Sequence, residues 1–248
     1  MKEGSFMKPS KIGIIGGMSY ESTIHYYERI NRQVNEIKGG LSCAEFILYN
    51  VDFSIIHTWM QNNEWNKIGN YLAGIANQLE IFGAKYIVIA TNTMHKLADY
   101  IQERIDVPLI HIADCVSEKC IEANIYNVGL LGTKHTMQED FLIERLQKNG
   151  LVVHTPKNQE EINEIDRIIF EELCNGKILN SSRDYYLKVI DNMIKEQQIN
   201  GVILGCTEIA MLLKQNDVNI PLFDTTQAHI DAIVDYHLNQ KIKKLTRN

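Results

Sequence analysis

Short apolar runs alternate with stretches of helical spacing along most of the chain. Residues 11–17 (KIGIIGG) are an aliphatic run that breaks into a Gly-Gly turn, which predicts a buried strand. Ser19, with Glu21 and Ser22 nearby, fits the capped start of a helix over residues 20 to about 37. Residues 46–53 (FILYNVDF) read as the next strand, and Ile68, Leu72, Ile75 and Leu79 put one apolar stripe on a helix over 65–82 that Gly83 closes. A strand over 86–90, the polar loop TNTMHK, a helix to about Arg104 and a strand over 107–111 complete this half.

The second half repeats that order. A strand over 126–131 leads into Gly132-Thr133, a helix runs from about 137 to 148, and a strand covers 151–154. A long helical region over 162–198 is expected to break near Gly176, strand 201–204 leads into the Cys206 loop, and 220–224 mirrors 107–111. Gly16 and Gly132 lie 116 positions apart, Thr91 and Cys206 115, and Pro108 and Pro221 113. Three landmarks in one order at nearly constant offset point to an internal duplication. The expected fold is therefore α/β: two pseudo-symmetric domains, each a mostly parallel sheet flanked by helices, with an active site in the cleft between them. The N-terminal domain is expected over 11–117 plus 224–248, with a helix over 226–238 returning to it, and the second domain over 118–223.

Composition narrows the partners. A net charge of -6 offers no basic field for nucleic acid, and no apolar run is long enough for a membrane span. Residues 1–10 read as a loose polar leader, and the charge run 241–247 as a solvated tail. Five cysteines without a C-x-x-C pair fit reduced thiols in a cytoplasmic compartment. The glycine pairs satisfy neither dinucleotide nor P-loop spacing, and no His/Asp/Glu cluster has metal-ligand spacing, so neither a metal nor a nucleotide cofactor is expected.

The candidate chemistry sits where apolar strands give way to small polar residues. Cys206 follows strand 201–204 and is read as a thiolate base or nucleophile, helped by backbone N–H groups of the next helix. Its repeat partner is Thr91, a weaker base that could also be a helix cap. Asn92, Thr93 and Thr207 offer donors for a carboxylate, and Gly16-Gly17 before Met18 lets backbone approach a ligand. Cys43, Cys115, Cys120 and Cys174 lie where packing explains them, and His95 and His111 read as hydrogen-bonded structural histidines.

The motifs IGIIGGMSYEST, TNTMHK, HIAD, LLGTKHTM and GCTEI resemble those of the aspartate/glutamate racemase family, and the similarity spans residue 11 to about 235. Within that family the L-aspartate/glutamate-specific branch is most similar, since it too has threonine at the first catalytic position. The resemblance implies a cofactor-independent (PLP-independent) isomerase that removes and returns the α-proton on opposite faces of a small amino-acid substrate, commonly as a homodimer. Carried onto this sequence it makes Cys206 and Thr91 the catalytic pair, with Met18, Asn92, Thr93 and Thr207 around the α-carboxylate. Threonine in place of a second cysteine makes the two faces chemically unequal, so unequal rates in the two directions and a preferred enantiomer are expected. The side-chain carboxylate of aspartate or glutamate calls for a cation, for which helix termini, His57 or a second-half lysine such as Lys177 are the candidates. Two other readings stand beside this one: a single-cysteine decarboxylase or isomerase of small dicarboxylic acids, and a non-catalytic carboxylate-binding protein.

Overall fold

The computed structural model describes residues 11–239, so the polar leader and the charged tail lie outside the described residues. The first half runs β1 (Ile12–Gly16), α1 (Tyr20–Lys38), β2 (Phe46–Asn50), α2 (Phe53–Gln61), α3 (Trp65–Ile81), β3 (Tyr86–Ile89), a 3-10 turn (Thr93–Leu97), α4 (Ala98–Gln102), β4 (Leu109–Ile110) and α5 (Ile112–Glu122). The second runs β5 (Asn127–Leu131), α6 (Lys134–Gln138), α7 (Asp140–Lys148), β6 (Val152–His154), α8 (Gln159–Arg167), a π turn (Ile168–Glu172), a 3-10 turn (Leu173–Asn175), α9 (Asn180–Gln197), β7 (Gly201–Leu204), α10 (Ile209–Leu212), a 3-10 turn (Gln215–Asp217), β8 (Leu222–Asp224) and α11 (Thr225–Asn239). None of the helices among the described residues is long and apolar enough to cross a membrane.

The duplication is visible in the sheets. Their orders are β2-β1-β3-β4 and β6-β5-β7-β8, with every pair parallel, so β3 and β7 hold equivalent places. Alternate residues of the inner strands enter different cores, because successive strand side chains point to opposite faces. Ile14, Val88, Leu130 and Ile203 meet in a core shared by both halves, whereas Ile15 and Ile87 face α3, and Leu131 and Val202 face α9. Helix α11 returns to pack on α1 and α5, and places Ile230, Ile233 and Val234 in the shared core. Each fully buried aliphatic side chain there contributes about 1.5–3 kcal/mol. Truncating Ile203 to alanine would cost about 2–5 kcal/mol.

Four predicted elements differ in detail. The strand expected to Phe53 stops at Asn50, because Asp52 turns the chain and caps α2 by accepting from the Ser54 N–H at 2.9 Å. The helix expected over 137–148 divides at Glu139, which is extended; its carboxylate takes His135 and, from the other half, Lys96, each at 2.6 Å. Of residues 107–111 only Leu109 and Ile110 pair, since His111 already caps α5 by accepting from the Ala113 N–H at 3.2 Å. The region over 162–198 breaks at Gly176, whose φ is +70°, as expected, but it also contains the π turn.

Candidate active site

The ends of β3 and β7 meet in one cleft. Its free space, open mouth included, is about 690 Å³. Two hydroxyl bridges tie the strand ends together. Ser22 on α1 donates to the Ala90 carbonyl at 3.2 Å and shares a hydrogen bond with Thr207 at 2.9 Å. Thr225 donates to the Leu204 carbonyl at 2.9 Å and accepts from the Asn92 amide nitrogen at 3.1 Å. All six residues singled out in the sequence, Met18, Thr91, Asn92, Thr93, Cys206 and Thr207, line this cleft.

Tight backbone turns make room for it. Gly17 has φ +90°, and a Cβ there would lie 2.4 Å from the Val51 carbonyl oxygen, so only glycine allows the β1 turn. At the β7 end a Cβ on Gly205 would come within 2.9 Å of Thr136 and 3.0 Å of the Leu131 oxygen. Behind Thr91 the loop is held by a buried histidine. The His95 Nδ1–H donates to the Thr91 carbonyl at 2.8 Å, and its Nε2 accepts from the Ile112 N–H at 3.2 Å. The His111 ring lies 4.6 Å from that of His95 and the His229 ring 5.7 Å, and Tyr26 donates to the His229 Nδ1 at 2.9 Å. Burial keeps these rings neutral by holding His95 down to about 4 and His229 to about 3. His95 and His111 are thus hydrogen-bonded structural groups, as their positions suggested.

Hydrogen-bond direction settles which Asn92 atom is free. The single Thr225 proton goes to Leu204, so Thr225 must accept from the Asn92 nitrogen, which leaves Asn92 Oδ1 buried without a partner. The same bond holds the Asn92 side chain against the strand that leads into the Cys206 loop.

Cys206 departs from the sequence reading in its ionisation. Helix α10 is only Ile209–Leu212, and the half-buried Sγ lies 2.9 Å from Oε2 of the buried Glu208. Burial, and then the charge and hydrogen bond of Glu208, push the thiol well above its ordinary value, with only a smaller opposing pull from the Glu208 backbone N–H. The thiol donates to the Glu208 side chain, and the four-residue α10 begins three positions beyond it. Glu208 also accepts a long hydrogen bond from Ser19 at 3.4 Å.

Several cleft residues lie outside the six singled out at the strand ends. Glu208 sits two positions after Cys206, a spacing that says nothing until the loop turns them together. Cys174, assigned to packing, does pack against the second-half core, yet it also lines the cleft. Phe53, His57 and Met60 reach it from one face of α2, and Ile169 and Phe170 from the π turn, a local widening found often at functional sites. Lys177 is exposed and is not among the lining residues, whereas His57 is.

Known proteins are similar to this chain in sequence and fold. A protein from Yersinia pestis, solved as a candidate Asp/Glu racemase, is 43% identical, with a TM-score of 0.87 over 92% of this chain and 99% of its own. An aspartate racemase homologue from Pyrococcus horikoshii OT3 is 37% identical, with a TM-score of 0.81 over the same shares. The broad specificity amino-acid racemase RacX of Bacillus subtilis (strain 168) is 22% identical over 237 residues, 92% of this chain and 98% of RacX. The family model for Asp/Glu/Hydantoin racemase matches residues 15–233. With a family match across most of its length, a duplicated parallel-sheet fold and a cysteine-bearing cleft between the sheets, this chain belongs to the Asp/Glu/Hydantoin racemase family and is an isomerase of the amino-acid racemase class.

Proposed function

We propose that the chain is a cofactor-independent racemase of aspartate or glutamate in which Cys206 and Thr91 serve opposite faces of the substrate α-carbon. The observation that carries this reading is that equivalent strands of the two sheets deliver these two side chains to one cleft. Met18, Asn92, Thr93 and Thr207, which all line the cleft, flank the α-carboxylate. The Cys206 proton passes to Glu208, the thiolate so formed removes the α-proton, and the electron pair of the broken C–H bond moves into the α-carboxylate. A proton delivered to the other face from the Thr91 side, by its hydroxyl or a water it holds, completes inversion, and solvent then takes the proton from Glu208 and returns one to the Thr91 side.

Unequal faces have a definite kinetic meaning. The equilibrium constant of racemisation is unity, so kcat/KM must be equal in the two directions whatever the bases are. The inequality instead appears as solvent exchange: a thiol that trades its proton with water returns deuterium to the enantiomer it serves more readily than the threonine side does. Five unpaired thiols support a reducing, cytoplasmic setting. Tyr20, Ile24 and Tyr27, exposed on one face of α1 beside the edge strand β2, support a homodimer, which light scattering would test.

Incubating the protein in D2O with L-Asp or L-Glu and no added cofactor tests the assignment. Opposite enantiomer bearing α-deuterium is expected, and Cys206→Ala should abolish it while leaving the circular dichroism spectrum unchanged. Turnover that survives Cys206→Ala would contradict the mechanism.

A further inference from the structure

Besides the hydroxyl bridges of Ser22 and Thr225, a contact made of charge joins the two halves at the cleft. Lys96 lies in the 3-10 turn that follows Thr91, and its ammonium donates to Oε2 of Glu139 at 2.6 Å. The other oxygen of that carboxylate accepts from the His135 Nδ1–H, also at 2.6 Å. Lys96 Nζ stands 4.0 Å from the centre of the Trp65 ring, which meets the His135 ring edge to face at 6.3 Å. Two groups of the first half and two of the second thus close one ring of contacts beside the cleft, which His135 lines.

Each end of this clasp is fastened to a loop that carries a reacting side chain. On the first-half side the His95 Nδ1–H donates to the Thr91 carbonyl at 2.8 Å, and the His95 backbone N–H to the Asn92 carbonyl at 3.0 Å, so the turn bearing Lys96 is tied to Thr91. On the second-half side Glu139 ends the short helix α6. Thr136 of that helix packs so closely on the turn before Cys206 that a Cβ on Gly205 would come within 2.9 Å of it. The Lys96–Glu139 pair is therefore the link between two fastened units. Lys96 is 30% and Glu139 28% exposed, so water screens the pair in part and its contribution to stability is small. Its consequence is geometric.

The two faces of the substrate use this geometry differently. Inversion needs Thr91 and Cys206 placed on opposite faces at once, whereas return of a proton to the face it left needs Cys206 alone. We infer that Lys96 and Glu139 are positioning residues for inversion, their pair setting the separation of the Thr91 loop from the Cys206 loop. Neither is among the residues that line the cleft, so both act through the loops they hold. The inference rests on the racemase reading of the cleft and adds the link between its halves.

The test compares two rates of the full chain in D2O, with aspartate and glutamate each supplied as the L and the D form. α-Deuterium gained without inversion reports return from Cys206, and appearance of the opposite enantiomer reports inversion. Lys96→Met keeps an apolar stem on Trp65 and removes the charge. For the enantiomer that Cys206 serves, it should raise the ratio of wash-in to inversion about tenfold or more, since a misplacement of ~1 Å can cost about 10²-fold in rate. Unfolded protein lowers both rates alike, so a merely structural loss leaves the ratio where it was, and that result overturns the inference. Glu139→Gln should raise the ratio likewise, and the two substitutions together no further than either alone; ratios that multiply would show two independent effects and refute a shared clasp. Wild-type protein that incorporates deuterium into neither amino acid overturns the racemase reading itself, whereas a wild-type ratio that the variants leave unchanged overturns only the link.

Discussion

Replacing Glu208 with glutamine probes how Cys206 becomes a base. The Sγ–Oε2 separation is 2.9 Å. At an effective permittivity near 20, a thiolate and a carboxylate that close repel by about 6 kcal/mol, equivalent to about four pK units. Both groups therefore cannot be ionised together near neutral pH. The thiolate forms only as Glu208 takes the proton, which keeps the pair at a single negative charge. Glutamine preserves the shape and can still accept the thiol hydrogen bond, but it cannot accept the proton. Loss of that transfer should lower kcat/KM about 10²–10³-fold at pH 7, or about 3–4 kcal/mol in the barrier. Removing the carboxylate charge also lowers the thiol pKa, so activity should recover as pH rises and the thiol ionises to bulk water. Mass-mapped alkylation of the Cys206 peptide gives a second readout, in which the variant should react at lower pH than the wild type. A variant within about threefold of wild type, with the same pH profile, would refute a proton-sharing pair.

Three further outcomes follow from the same geometry. Ser22→Ala removes a hydroxyl that bonds both the Ala90 carbonyl and Thr207, leaving buried groups unmatched. A stability loss of about 1–3 kcal/mol is expected in urea unfolding, and an unchanged midpoint would count against the bridge. The buried histidines predict acid sensitivity: the unfolded chain holds them near 6.5, whereas folding holds His95 down to about 4 and His229 to about 3. The unfolded state then binds more protons below pH 6.5, so stability is complete above that value and is lost as pH falls toward the folded values, by about 2 kcal/mol per histidine at pH 5. Denaturant unfolding that gives equal stability at pH 7 and 5 would contradict this. Arg145 on α7 grips Asp114 on α5 through two bonds of 2.8 and 2.6 Å; Arg145→Met should cost about 1–3 kcal/mol, read as a lowered unfolding midpoint, and no loss would show the pair to be energetically neutral.

Much of the fold was legible because buried parallel strands are continuous apolar runs and amphipathic helices have their own period. β1, β3, β5 and β7, and the helices α1 and α3, carry one of these two signals without competition. The repeat offsets then placed β3 and β7 as equivalents. Short elements whose boundaries depend on side-chain caps were harder. The pattern FILYNVDF continues through Asp52, and only the Asp52–Ser54 hydrogen bond makes it the end of a strand and the start of α2. Glu139 looks like any helical glutamate until Lys96 arrives from the other half to pull the chain open.

The site was legible to the same degree. Small and polar residues after buried strands marked Thr91, Asn92, Thr93, Cys206 and Thr207, and the Gly-Gly turn marked Met18. What the pattern could not supply was relation between side chains. Burial and then Glu208 push the Cys206 thiol up rather than down, the Thr225 hydroxyl turns the Asn92 amide, and the π turn presents Ile169 and Phe170. Each depends on three-dimensional contacts that sequence spacing does not encode.

The central claim, that one strong base and one weak one share this cleft, is tested most directly by deuterium wash-in at early times in D2O. The substrate should be the amino acid that exchanges fastest, supplied separately as its L and D forms. One enantiomer is predicted to gain α-deuterium faster than it inverts, while the other gains it only on inversion, and Thr91→Cys should make the two alike. Equal wash-in for both enantiomers of the wild-type protein, or a difference that Thr91→Cys leaves untouched, would contradict the account.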